Sequence, residues 1–187
     1  MTREEYLNAA TSLMSPWFNA QGYPLPPVRV SVGIPAGGKG GKLKRIGECW
    51  SPLASADATT EVFICPSQSN ATNVLAILVH ELVHAAVGLE HGHKGAFKRL
   101  ALALGLEGKM TATTAGADLT ARLTAIISQL GVYPHAALNT ALSGRKKQST
   151  RMIKLACDDC GWTCRTAQKN VDAGLPTCHC GGSINVA

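Results

Sequence analysis

The chain has 187 residues, 45% of them hydrophobic but only 5% aromatic, and a formal net charge of +6. That length suits one ordinary domain plus a small appendage, with Leu, Val, Ile and Ala filling the core. No apolar run approaches the roughly 20 residues that span a bilayer. The opening MTREEYLNAA has two acidic residues and no apolar signal segment. A reducing cytoplasm is the expected setting, where the seven cysteines read as metal ligands or buried thiols rather than disulfides.

Thr2-Arg3-Glu4-Glu5 fits a capping box, with Thr2 as N-cap and Glu5 reaching back. Tyr6, Ala9, Ala10, Leu13, Met14, Trp17 and Phe18 recur at helical spacing, with a kink expected at Pro16. Gly22 and the stretch Pro24 to Pro27 end that helix, and Val28 to Val32 alternates like a strand. Gly33 to Arg45 (GIPAGGKGGKLKR) is a basic, glycine-rich loop. It lacks the Lys-Ser/Thr ending and following helix of a phosphate-binding loop. Ile46 to Trp50 and Glu61 to Cys65 read as two short strands, in which Cys49 and Cys65 behave as small apolar residues. Asn73 to Val87 is a strongly apolar helix, Lys94 to Leu104 a second, and Asp118 to Leu130 a third. Ser143 to Thr150 (SGRKKQST) is a basic linker to a cysteine-rich module at 151–187, which leaves 1–142 as the main domain.

The apolar helix carries His80-Glu81-Leu82-Val83-His84. Residues four apart share one face of a helix, about 6 Å apart, so both imidazoles can reach one ion. Zinc accepts imidazole nitrogen and favours four ligands, and a catalytic zinc needs a third protein ligand and one open position. Glu81 projects beside that face, where it can act on the metal's water. Third-ligand candidates follow at once in Leu89-Glu90-His91-Gly92-His93-Lys94-Gly95.

HELVH, a short loop, and then Gly92-His93-Lys94-Gly95-Ala96-Phe97 resembles the SprT-like zinc metallopeptidases, whose eukaryotic relatives include Spartan. The likeness runs from Val28 to the end, is strongest over 75–106, and extends in layout to short members from phage and bacterial genomes. It implies an α+β, zincin-like fold with helices around a small sheet. It implies His93 as the third zinc ligand beside His80 and His84, with His91 the competitor, and Phe97 packing the next helix against the motif helix. It further implies an endopeptidase in which Glu81 is the catalytic base for a zinc-activated water, acting on proteins or peptides, DNA-associated ones among them. Ile46 to Trp50 or Glu61 to Cys65 would hold an extended substrate, and Trp50, His91, Tyr133 and His135 are candidates to stabilise the oxyanion. The setting would be a host's cytoplasm for a phage-encoded chain.

In the tail, Cys157-Asp158-Asp159-Cys160-Gly161-Trp162 supplies one two-cysteine knuckle. Cys178-His179-Cys180-Gly181-Gly182 supplies the other, as CxC rather than CxxC. Cys157, Cys160, Cys178 and Cys180 would close a structural zinc ribbon, with His179 and Cys164 as alternative ligands. Two zinc ions are therefore expected, one catalytic and one structural.

From Asn139 onward, seven Lys and Arg stand against three Asp. Arg145, Lys146, Lys147, Arg151 and Lys154 are the candidate contacts to nucleic acid, mainly single-stranded DNA. An alternative function follows: a nucleic-acid-binding or transcription-associated zinc protein whose first domain is only a scaffold.

Overall fold

The computed structural model describes residues 1–36, 45–139, 142 and 151–187. The chain divides into two compact units, Met1–Leu142 and Ser143–Ala187. The expected linker, 143–150, lies outside the described residues, as does most of the glycine-rich loop.

Helix α1 (Arg3–Ala20) starts with the expected capping box: Glu5 N–H donates to Thr2 Oγ1, and Thr2 N–H donates to the Glu5 carboxylate. The helix continues through Pro16 and buries Tyr6, Leu7, Ala10, Met14 and Phe18 on one face. Strands β1 (Val28–Val32), β2 (Gly47–Trp50) and β3 (Thr60–Ile64) form one sheet in the order β1-β3-β2. β1 runs parallel to β3 and β2 antiparallel to it. β3 alternates in burial, with Thr60, Val62 and Ile64 inward, the period of two that a one-sided sheet requires.

Helix α2 (Ala71–Val87) is capped by the Asn70 side chain, which accepts from Asn73 N–H. It is the centre of the unit, packing against α1, the sheet and the later helices, with Val74, Leu75, Leu78, Val79, Leu82 and Val83 buried. Its apolar stripe is too wide for a surface helix, so it is covered on most sides. Helix α3 (Ala96–Ala103) follows a single 3-10 turn at Leu89–His91. A hairpin of β4 (Leu106–Lys109) and β5 (Ala112–Ala115) comes next, and then α4 (Ala117–Leu130). The sequence pattern had left that hairpin unassigned.

The second unit is an antiparallel sheet ordered β7-β6-β8, from β6 (Ile153–Cys157), β7 (Thr163–Thr166) and β8 (Ile184–Val186). A short helix α5 (Gln168–Ala173) lies between β7 and the second knuckle. Among the described residues its buried core is Leu155, Cys157, Cys178 and Ile184. The protein is thus mixed α and β with small sheets. Among the described residues, no helix is long and apolar enough to cross a membrane.

Candidate metal centres

His80 and His84 lie one turn apart on α2, ring centroids 5.2 Å from each other. His93 comes from the loop that opens α3. Gly92, with φ of 50°, reverses the chain there in a conformation that a side chain would strain, and so turns His93 back toward α2. The Nε2 atom of His93 sits 3.3 Å from Nε2 of His80 and 3.2 Å from Nε2 of His84. Imidazole nitrogens bound tetrahedrally at about 2.0–2.1 Å to one zinc would be about 3.3 Å apart. The three ligand atoms lie within 4.8 Å of one another, and the residues fit such an ion.

Phe97, fully buried, packs against all three imidazoles, with centroid distances of 5.0, 4.3 and 5.0 Å to His80, His84 and His93. It fixes the rings from one side with an apolar surface. His80 Nδ1 is 2.8 Å from the Thr113 hydroxyl on β5. With Nδ1–H donating there, Nε2 keeps its lone pair for a metal. His84 Nδ1 is buried with no hydrogen-bond partner. Burial, then the neighbouring His93, holds His80 down to about 4. Burial, then His80 and His93, holds His84 down to about 3. His93 is lowered by burial as well. All three are therefore neutral at pH 7, the form that binds metal.

Glu81 is buried beside the cluster, 7% exposed. Burial, and then the charge of Glu48, pushes its carboxyl up to about 8, against an opposing pull from Arg45. Glu48 is itself held by Arg45, by the N–H of Ala36 at 2.9 Å and by Trp50 Nε1 at 3.0 Å. The His cluster and Glu81 open into a cavity of about 440 Å³. Gly47, Glu48 and Cys49 of β2 line it, together with Thr111, Ala112 and Thr113 of the hairpin. β2 pairs with β3 on one side only, and no described strand takes its other edge. β3 is central, so of the two expected substrate-binding strands only β2 has a free edge. Burial and the nearby Glu81 push the Cys49 thiol up to about 12, which makes it inert at neutral pH.

His91 is half-exposed, 3.9 Å from the Glu90 carboxylate, and outside the ligand group. Tyr133 packs edge-on against Tyr6, and His135 Nε2 bonds the Pro66 carbonyl at 2.7 Å, so neither lines the cavity. Trp50 lies at its far end, in an adjoining cavity. Thr113 and Gly47 are site residues that sequence spacing did not indicate.

In the second unit, Cys157, Cys160, Cys178 and Cys180 gather with all four sulfurs within 4.8 Å of one another. Sγ distances are 3.6 Å for Cys157 to Cys180 and 3.5 Å for Cys160 to Cys178. Four thiolates at about 2.3 Å from a tetrahedral zinc would stand about 3.8 Å apart, so this group also fits an ion. The backbone N–H of Cys160 is the largest influence drawing the Cys157 thiol down to about 7. Cys164 packs into the small core, and His179 Nδ1 lies 3.5 Å from Cys178 Sγ; neither belongs to the group. Arg151 and Lys154 are exposed, whereas Arg145, Lys146 and Lys147 lie outside the described residues.

These features define a mixed α and β protein that, among the described residues, has a three-histidine and a four-cysteine group that could each hold a metal ion. No protein-family model, curated protein or solved structure matches the chain.

Proposed function

We propose that the first unit is a zinc-dependent endopeptidase of the SprT-like, zincin kind, and that the second is a zinc ribbon. The observation that carries the reading is the convergence of three neutral imidazoles at zinc-ligand spacing, with a buried carboxylate beside them in an open cleft. His80, His84 and His93 would hold the ion, which when bound supplies Lewis acidity, polarising a carbonyl and easing loss of a proton from water. Glu81 accepts that proton on its carboxylate and delivers it to the leaving amine nitrogen as the peptide C–N bond breaks. Thr113 holds the His80 ring in orientation, and Phe97 keeps water from the underside of the ligand rings. The open edge of β2 offers backbone donors and acceptors to an extended polypeptide.

Glu81→Gln tests this. The variant should retain fold and zinc while peptide hydrolysis falls about 10²–10⁴-fold. Undiminished hydrolysis by the variant would refute the reading.

A second reading, nucleic-acid binding by the ribbon, is favoured by one pairing. Lys154 on β6 stands directly opposite Arg165 on β7, both exposed. Like charges opposite one another destabilise a sheet, and a phosphate backbone would relieve them. Anisotropy of a labelled single-stranded oligonucleotide, wild type against Lys154→Glu with Arg165→Glu, tests it. Equal affinity of the two proteins at low salt would dispose of the ribbon as the contact.

A further inference from the structure

A second cavity, of about 330 Å³, adjoins the one over the histidines. The two share Cys49, His84 and Leu89 as walls. Its outer walls are Trp50, Pro52, Leu53 and Leu89, with Pro26 behind. Three of these are large apolar side chains left in solvent: Trp50 is 41% exposed, Leu53 94% and Leu89 38%. Isolated exposed apolar residues need no explanation, but three around one concavity beside a metal-ligand cluster do.

Hydrogen bonds fix the Trp50 indole and the backbone turn that carries Leu53. The Trp50 indole N–H donates to Glu48 Oε2, which also accepts from Ala36 N–H, while Arg45 holds Glu48 Oε1. Leu53 sits on a single 3-10 turn, Pro52–Ala54, which Ser51 caps by accepting from Leu53 N–H. A half-exposed tryptophan clamped by its own N–H, and a leucine on a capped turn, are pre-organised surface that gains nothing from the fold's own core. Pre-organised aromatic and aliphatic walls are what an apolar side chain from another chain requires.

The occupant follows from the strand between the cavities. Gly47 lies against Glu81 at one end of β2, and Trp50 stands at the other. Three residues of strand span about 10 Å. A polypeptide paired to the free edge of β2 therefore carries a side chain past the second cavity about three residues or fewer from the bond at the histidines. The only formal charge in the cavity lining is Glu90, which is exposed, so no partner charge awaits an acidic side chain.

We infer that the cavity bounded by Trp50, Pro52, Leu53 and Leu89 is a specificity pocket for one large apolar residue of an extended polypeptide. The place of that residue relative to a cut bond rests on the peptidase reading; the pocket itself does not. The full-length Glu81→Gln protein, loaded with zinc, is titrated calorimetrically with short Ser/Gly/Lys peptides carrying Phe, Leu, Ser or Asp at one position. Phe and Leu peptides should bind about tenfold or more tightly than Ser and Asp peptides. Leu53→Asp with Leu89→Asp should erase that preference while zinc content stays unchanged. In parallel, wild-type cleavage sites in a peptide mixture are mapped by mass spectrometry, with an apolar residue expected at one fixed position near the cut. Apolar preference in binding without cleavage keeps the pocket and removes the peptidase. Cleavage with no apolar position, or equal binding of all four peptides, removes the pocket. Neither binding nor cleavage overturns both.

Discussion

Gly47→Ala is the sharpest test of how β2 and α2 set up the candidate catalytic carboxylate. A Cβ at Gly47 would stand 2.5 Å from Glu81 Oε1 and 2.6 Å from Ile77 Cγ2. Non-bonded carbons are at ease at about 3.5–4.0 Å, so the added methyl overlaps the Ile77 methyl by about 1 Å. Two responses relieve it. The Glu81 carboxylate can swing away, which is cheap for the fold because it is the end of a flexible side chain. Ile77 and the strand can also separate, and overpacking of that kind costs about 1–3 kcal/mol. β2 pairs with a described strand on one edge only, so the stability loss should fall near the low end, about 1 kcal/mol. The larger effect should be on turnover, since about 1 Å of misplacement at a reacting group can cost about 10²-fold. Urea unfolding gives the first number and kcat/KM on a peptide substrate the second. Zinc content should not change, because the substitution touches none of the three imidazoles. Activity within about twofold of wild type would show that the close approach of Gly47 has no part in placing Glu81.

Thr113→Val should weaken metal binding by the histidine group about 10–100-fold by chelator competition, with Thr113→Ser restoring most of it; equal affinities would mean that the hydroxyl does not orient His80. Elemental analysis of the whole chain should give two zinc ions, with His93→Ala and Cys178→Ser each losing one; unchanged content after His93→Ala but a loss after His91→Ala would reassign the third ligand. In metal-free protein, Glu81 has a folded pKa raised by burial to about 8, above its usual 4.5. Between those values the folded state binds more protons than the unfolded chain. Its contribution is therefore fully present below about pH 4.5 and lost as pH rises through 8. The urea midpoint of Glu81→Gln should gain on wild type across that window, and a constant difference would contradict the burial of a protonated carboxyl.

What the sequence disclosed was what local spacing encodes. Helical periodicity puts His80 and His84 on one face, whereas spacing alone leaves His91 and His93 open as the third imidazole, and the choice of His93 rests on the likeness to the SprT-like pattern. The capping box at Thr2 was legible because both its partners lie within one turn. Thr113 was not, because its bond to His80 joins residues 33 apart through a hairpin whose turn, Met110-Thr111, has none of the Asn-Gly chemistry that announces a hairpin. Nor could the three strands be ordered. β1 and β2 have equally short patterns, and the parallel pairing that puts β3 in the middle is decided by what α1 and α2 cover. The edge position of β2, and with it the close approach of Gly47 to Glu81, is a tertiary fact.

The two ligand groups ask different things of an ion. Four thiolates complete a tetrahedron and leave no position for a reactant, and they do so in a unit whose core holds two aliphatic side chains besides two of the cysteines themselves. Such a core is far too small to stabilise a fold alone, so a metal bound there would supply folding energy. The histidine group lies in a unit with a large core of its own, built on α2 and the helices around it. An ion held by its three nitrogens would keep one tetrahedral position open, and all three histidines line a cavity. Glu81, buried beside that group with its carboxyl pushed up to about 8, is not one of the ligands. Under the peptidase reading, burial of Glu81 beside that position serves a reactant rather than the helix that carries it.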